Sequence, residues 1–405
     1  MASLTATDIA DVLKELYPNG AKDLNYRPSA FMEVIKTNTE AYGELIKVPL
    51  VYGRPQGRSA AFATAQSNQT AGKYEAFDVT LVSDYATASI TGEAIDKSKK
   101  DKGSLVNALK AEMDGALSQL KRSAAHAIFR NGGGALGVIS TGSTVGSAVI
   151  TLSTIEDIVF FEIGQVLNVA STDGTSGAIR SGTVTVSAID RDAGTVTATG
   201  NWTAGVAAVA TGDSIFVNGD FGVKMKGLDA WVPATAPSST AFFGVDRSVD
   251  TSRLGGVRYD GAAQSIEEAL LDGIERVVRN GGMPDLVVVH PRQFTNLSKA
   301  LGSKAVYDKR GSADGRFGFR TLKVDCAVGS IDIMADLNCQ MAAAWVLQTD
   351  TWELYSIGDV PRMLDTDGLP YLRTASADAI ELRCVYRAQL ACKAPGFNGR
   401  TTLAT

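Results

Sequence analysis

The sequence predicts an α+β protein built from several parts, and three observations carry that reading. A long helical stripe runs through Leu105, Leu109, Met113, Leu117, Leu120, Ala124 and Ile128. Directly after it the composition changes, and residues 139–222 become rich in Val, Thr, Ser, Ala and Gly in short alternating runs. Near the end, Leu382, Cys384, Tyr386, Ala388, Leu390 and Cys392 alternate with more polar neighbours through residues 381–393. With 405 residues, 45% of them apolar and 20% charged, the chain can hold about two to four domains with cores of their own.

In chain order, Ile9, Val12, Leu13 and Leu16 stand at helical spacing before Pro18-Asn19-Gly20 stops the pattern, which predicts a short amphipathic arm element. From 45 to 92 the pattern is that of a strand, with Phe77, Val79 and Leu81 alternating against Asp78, Thr80 and Val82. A Gly- and Gln-rich piece precedes it, so the segment reads as a long two-stranded excursion. Its tip is too polar to hold a core and would be ordered by a neighbouring molecule. A charged stretch at 97–102 and the cap Gly103-Ser104 lead into the long helix, which Asn131 and the glycines after it end. About 26 residues give a rod of roughly 39 Å.

The region 139–222 reads as a small barrel or sandwich, with Asp190-Arg191-Asp192-Ala193-Gly194 as a hairpin turn. Eight acids against Arg180 and Arg191 give it a net charge of -6, which suggests an inserted, differently exposed module. Ser265-Ile266-Glu267-Glu268 has the form of a capping box, and Ile266, Ala269, Leu270, Ile274, Val277 and Val278 form the stripe of a helix that Gly281-Gly282 ends. Residues 286–289 read as a buried strand, and Pro291 starts a second helix carrying Phe294, Leu297 and Leu301. The terminal strand of thirteen residues would span about 43 Å, with its apolar side packed along the long helix.

Charge and chemistry exclude several classes. A net charge of -5 is not that of a dedicated nucleic-acid binder. The uncharged stretches are too rich in Gly, Ser and Thr for membrane spans, and the start has no apolar signal core, so synthesis in the cytoplasm is expected. Cys326, Cys339, Cys384 and Cys392 lack metal-binding spacing and read as reduced, buried thiols. His126 falls in the last turns of the long helix, where the helix dipole would favour its charge, and His290 sits at a strand-to-helix junction without a partnered nucleophile. Gly132, Gly134 and Gly137 match GxGxxG only in form, because a helix precedes them and strands follow. Asp365-Thr366-Asp367-Gly368 lacks the later Glu of a calcium loop, Arg373 standing in its place. No catalytic, metal or cofactor site is expected.

The order of elements resembles the major capsid proteins of tailed bacteriophages, which have the Hong Kong 97 type of fold. Three stretches carry the likeness: ITGEAIDKSKKDKGSLVNALKAEMDGALSQL, SIEEALLDGIERVVRNGGMPDLVVVHPRQFTNLSKAL and ELRCVYRAQLACKAPGFNG. The resemblance implies an N-terminal arm at 1–44, an extended E-loop at 45–92 and a peripheral domain with a spine helix at 93–138. An inserted all-β domain at 139–222, an axial domain at 223–348 and the peripheral C-terminal strands at 349–405 complete it. It also implies a shell of pentamers and hexamers around double-stranded DNA, in a virion assembled in the host cytoplasm. A separate scaffolding protein, or none, is implied, with a portal and decoration proteins as candidate partners, and no membrane would be involved. Arg54, Arg58 and Lys73 are the expected intersubunit contacts of the E-loop. Leu109, Met113, Leu117 and Leu120 form the expected core face of the spine, opposite Leu382, Tyr386 and Leu390. Lys73 and Asn398 stand where some members crosslink, although no motif matches. An encapsulin-like cellular shell shares the fold, and nucleic acid in purified particles separates the two. A β-rich carbohydrate-binding or hydrolytic protein would instead need an aromatic groove around Trp202.

Overall fold

The computed structural model describes residues 29–43, 45–93, 108–301, 307–309, 320–326, 329–364, 372–373 and 378–404. The arm element at 7–17, the charged stretch and cap at 97–104, Leu105, the Leu109 side chain and the turn at 365–368 lie outside them. The chain divides into two compact units, one drawn from Tyr85–Leu120 and Pro361–Val385, the other from Pro28–Asp84, Lys121–Val360 and Tyr386–Thr405.

A short helix α1 (Ala30–Val34) and strand β1 (Lys36–Asn38) precede an antiparallel ribbon of β2 (Ile46–Gly53) and β3 (Lys73–Val79). Ser29 caps α1 and is itself held by Asp336, whose carboxylate accepts from Ser29 Oγ at 2.5 Å and from the Phe31 amide at 3.0 Å. Between β2 and β3 a helix α2 (Phe62–Ser67) forms the tip and buries none of its residues. The excursion expected over 45–92 is therefore shorter, because β4 (Val82–Thr91) leaves the ribbon and pairs with the terminal strand. Alternation reports an apolar face, and that face continues when a strand changes partner, so the break at residues 80–81 left no mark.

Helix α3 (Ala108–Phe129) has 22 residues, about 33 Å, and ends where Gly132 turns at φ +91°. Six strands follow: β5 (Ala135–Val138), β6 (Val149–Thr151), β7 (Val166–Ala170), β8 (Val184–Asp190), β9 (Thr195–Ala198) and β10 (Ser214–Val217). Their order is β5-β10-β7-β8-β9-β6, and a bridge between Ile139 and Leu152 joins the two edges, so the module is a small closed barrel that begins at Ala135. The turn after β8 falls where the sequence places it, with Asp190 Oδ1 accepting from the amides of Asp192 and Ala193. The core holds Ile139, Phe161, Leu167, Val196, Ile215 and Trp202, the last with its indole N–H on the Ala148 carbonyl at 3.0 Å. A carbohydrate groove would need that ring exposed, and here it is wholly buried.

The second half of the larger unit contains β11 (Val257–Asp260), α4 (Ile266–Arg279), β12 (Leu286–Val289) and α5 (Pro291–Leu301). It continues with β13 (Tyr307–Lys309), β14 (Arg320–Cys326), β15 (Gly329–Ala335) and β16 (Ala343–Leu347). With the final strand β21 (Gly399–Thr402) they form a sheet of order β11-β21-β16-β12-β15-β14-β13. Ser265 caps α4 by accepting from the Glu268 amide, and Ala269, Leu270, Ile274 and Val277 pack on Val287, Val289, Ala344 and Val346. Gly273 permits this approach, since a Cβ there would lie 2.0 Å from Thr401 Oγ1.

Strand β17 (Trp352–Ser356) pairs with β1 and with the later half of the terminal strand β20 (Ala379–Cys392). In the smaller unit the earlier half of β20 pairs with β18 (Arg362–Met363) and β19 (Leu372–Arg373). The sequence pattern predicts one buried face for this strand, but 388–392 is buried on both. Gln389, on the presumed polar side, is fully buried and donates to the Lys226 carbonyl at 2.8 Å. A polar side chain that finds a backbone partner can occupy a core, which is why the alternation overstated the exposed face.

Candidate assembly surfaces and the ion network of the barrel

The ribbon's base is anchored and its far end is not. Val48, Phe77 and Val79 are buried, and Phe77 meets Trp231 edge-on with ring centroids 4.9 Å apart. The Asp78 amide donates to the Phe243 carbonyl, and Arg253 donates to the Tyr52 carbonyl at 2.6 Å. Beyond this point Val51, Phe62 and Tyr74 are exposed, Phe62 by 84%. Arg54 and Lys73 lie together at the end of the paired strands, while Arg58 lies in the loop toward the tip. All three are exposed, and none makes an ion pair among the described residues.

On α3, Met113 and Leu117 are half-buried and Leu120 is buried. Within the smaller unit Met113 packs with Ala88, Met363 and Ile380 against a core of Ile90 and Leu382. Within the larger unit Tyr386 is buried beside Ser123 and Asp84, and burial followed by the Asp84 charge pushes its phenol well above the usual range. Leu390 is opposite Leu354, and its carbonyl accepts from the Trp231 indole at 3.0 Å.

Sequence reasoning missed the set of ion pairs that ties the barrel to the rest of its unit. Glu162 accepts from Arg122 at 2.6 Å and from Arg191 at 3.3 Å, Asp157 from Arg130 at 3.1 Å, and Glu156 from Arg292. Lys224 bridges Asp84 at 2.6 Å and Asp220 at 3.0 Å, and Ser123 donates to Asp84 at 2.6 Å. Inside the barrel Arg180 donates to both carboxylate oxygens of Asp213, through Nε at 2.7 Å and Nη2 at 2.8 Å. The charge of -6 is therefore not a free acidic surface: Glu156, Asp157, Glu162 and Asp220 face cations outside the module. Composition counts charges but does not say which cations stand opposite. The one legible signal was the spacing of Arg122, His126 and Arg130, four apart on one helical face.

Burial raises the Asp157 carboxyl against the pull of Arg130, and it raises Asp220 against that of Lys224. His126 is sealed against Phe160 and its Nε2 accepts from Arg130 Nε at 3.1 Å. Burial, then the charges of Arg130, Lys224 and Arg122, hold its pKa well below the usual 6.5. The expected favourable dipole contact is thus corrected, because it needs a cation and this imidazole is a neutral acceptor. His290 is also lowered by burial, and its Nδ1 accepts from the Arg292 amide. Asn398 is fully buried, accepting from the Gln348 amide and the Trp352 indole and donating to Thr351 Oγ1 and the Ala394 carbonyl. A crosslink acceptor must be reachable, so this residue is a core strut. The four cysteines are free thiols, with Cys339, Cys384 and Cys392 buried. Among the described residues no cluster suited to a metal ion occurs, and no helix is long and apolar enough to cross a membrane.

A two-unit α+β chain with a protruding ribbon, a long helix, an attached barrel and a mixed sheet has the fold of phage-type capsid proteins. It is similar to the capsid of the empty GTA particle computed with C5 symmetry, at 8% identity over all of both chains and a TM-score of 0.54. It is similar to the native GTA particle capsid at 8% identity over all of both chains, with a TM-score of 0.53. It also matches the cyanophage A-1(L) capsid asymmetric unit, at 10% identity over 95% of this chain and 96% of that one, with a TM-score of 0.52. Residues 206–375 match the family model of the SU10 major capsid protein. No curated protein matches the sequence. The resemblance to tailed-bacteriophage major capsid proteins thus holds in fold for the whole chain and in sequence for 206–375.

Proposed function

We propose that this protein is the major capsid protein of a tailed bacteriophage, assembling through pentamers and hexamers into an icosahedral head around double-stranded DNA. The observation that carries the reading is the chain-long likeness in fold to capsid subunits, joined to the family match over 206–375. In this reading the ribbon is the E-loop, α3 the spine helix, the sheet with α4 and α5 the axial domain, and the barrel an inserted domain. The stripe Leu109, Met113, Leu117 and Leu120 is the spine's core face, and Leu382, Tyr386 and Leu390 are that of the terminal strand. Arg54, Arg58 and Lys73, which make no ion pair among the described residues, supply cations for acids of a neighbouring subunit, each exposed pair contributing about 0 to 1 kcal/mol. Binding of DNA is enclosure, since few phosphate contacts leave packing and ejection unhindered. The chemistry is structural and not catalytic. The virion is its location and the host cytoplasm its place of assembly, with a separate scaffold or none, and a portal and decoration proteins as candidate companions.

Electron microscopy of the purified protein tests this directly. Closed shells of uniform size are expected, and a soluble monomer at all concentrations would sink the proposal. Shells that hold host enzymes and no DNA would instead support a cellular compartment.

A further inference from the structure

The end strand of the mixed sheet carries more positive charge than its carboxylates neutralise. Strand β11 pairs in parallel with β21, and Arg258 stands in register with Arg400. Register partners on parallel strands point to the same face, so the two arginine side chains leave the sheet together. That face is the one away from α4, because the intervening Tyr259 and Thr401 meet Asp272 and Gly273 of that helix. Arg400 is paired there with Asp229, which also accepts from Gln340 at 3.1 Å. Arg258 makes no ion pair among the described residues and donates to the carbonyls of Gly255 at 3.0 Å and Thr251 at 2.9 Å. Arg247 is buried and likewise donates to two carbonyls, those of Ala230 and Trp231. Burial, then the charge of Arg258, lowers Arg247 to about 10. The charge is under-compensated in hydrogen bonds as well, since the buried Nε of Arg247 and that of Arg400 have no acceptor among the described residues.

A cavity of about 300 Å³ opens beside these groups, lined in part by Ala234, Ala236, Arg258, Asp260, Arg400 and Thr402. Asp260, two residues after Arg258, falls on the same side of β11, and its register partner Thr402 adds a hydroxyl. Asp260 is exposed; its Oδ1 accepts from the Ala262 amide at 3.2 Å, and its Oδ2 has no hydrogen bond among the described residues. We infer that this cavity binds inorganic phosphate as its monohydrogen dianion, the Arg258 and Arg400 guanidiniums and the Thr402 hydroxyl donating to the bare oxygens and Asp260 accepting from the P–OH. Guanidinium forks match the oxygens of a phosphate in geometry and charge, and the dianion relieves the repulsion between neighbouring arginines. Sulfate has the same shape and charge but no proton to give, so Asp260 repels it and the site selects phosphate. Binding of this kind is independent of the shell reading.

Equilibrium dialysis of the full-length protein against radiolabelled inorganic phosphate, in a chloride buffer at mildly alkaline pH, tests it. Saturable retention of phosphate is expected, and about a tenfold excess of sulfate should fail to displace it. Arg258→Gln should weaken retention about tenfold or more, the loss that follows removal of one charge-assisted hydrogen bond. Because Arg258 also holds two carbonyls, Asp260→Asn is the second variant. It changes an exposed side chain, keeps an oxygen for the Ala262 amide and should admit sulfate as readily as phosphate. No saturable retention by the wild-type protein at millimolar phosphate overturns the inference, as does unweakened retention by folded Arg258→Gln protein. Equal displacement by sulfate in the wild type, or continued rejection of sulfate by Asp260→Asn, overturns the part given to Asp260. Displacement of the phosphate by a short DNA duplex would assign the arginines to a nucleic-acid backbone and overturn the small-anion site.

Discussion

At the residue scale the most informative side chains are polar ones in the core. Asn398 satisfies two donors and uses both of its own hydrogens. Asn398→Ala would orphan the buried Trp352 indole and the half-buried Gln348 amide and should cost roughly 3 kcal/mol. A fall in the urea midpoint of unassembled subunits measures it. Subunits from mature particles should also run as single chains on denaturing gels, since Asn398 is out of reach. His126 sets a pH dependence whose sign follows from its burial. An unfolded imidazole takes up a proton near pH 6.5, whereas the buried one does so only well below it. The unfolded chain therefore binds more protons below that pH, so the stability is whole above about pH 6.5 and declines as pH falls toward the folded value. His290 shifts in the same direction. Lowering the pH from about 7.5 to about 5.5 should lower the melting temperature of the subunit, and His126→Gln, which keeps an acceptor for Arg130, should flatten the slope. An unchanged slope in that variant would exonerate His126.

At the scale of elements, two joints decide how the parts hold. The first is the small core of Ile90 and Leu382 in the lesser unit. Leu382 is wholly buried, so Leu382→Ala should cost about 2 to 5 kcal/mol, and the half-buried Met113→Ala about half as much. Along α3 the difference between Leu117 and Leu120 is sharper. Leu120 is 2% exposed, and an unpaired carboxylate there should leave the protein insoluble, whereas Leu117→Asp, on a half-open position, should remain soluble. The second joint is the ion network around the barrel. Replacing 135–222 by a short Gly-Ser linker strips acidic partners from Arg122, Arg130 and Arg292 and leaves Lys224, if kept, with Asp84 and the Ser123 hydroxyl. Calorimetry should then show a lower melting temperature for the remaining unit, because breaking a partly buried pair on one side leaves a charge uncompensated. Equal melting of the two chains would mean that the clamp contributes nothing.

At the scale of the whole molecule, the ribbon is held at its base and open at its tip. Its base is held by Phe77 and Val79, yet α2 buries nothing and Phe62 stands in water. Such a segment has little to offset the entropy of ordering it alone. Amide exchange across 57–72 should be fast in the free subunit and much slower in shells. Equal protection in both states would show that the tip needs no neighbour. The barrel bears on the same assembly. Shells of normal size from the linker variant would make it a surface domain, and failed assembly would make it a bridge between capsomers. Density for the barrel on the inner wall would defeat the surface reading and the bridging one alike.

The sequence by itself determined the local elements, because their signals are local. Ser265 and Glu268 mark the start of α4, Pro291 that of α5, and the change in composition after α3 marks the barrel to within a few residues. It also carried the resemblance in fold, through the order of those elements. Only the tertiary structure decided which charges meet. The acids of the barrel read as a bare surface until Arg122, Arg130, Lys224 and Arg292 were found opposite them, brought together across separations of up to 136 residues. It likewise decided that β4 leaves the ribbon, that Gln389 lies in a core and that His126 is neutral. Each of these depends on a neighbour distant in the chain, and periodicity records what a residue faces only as apolar or polar, never which partner stands there.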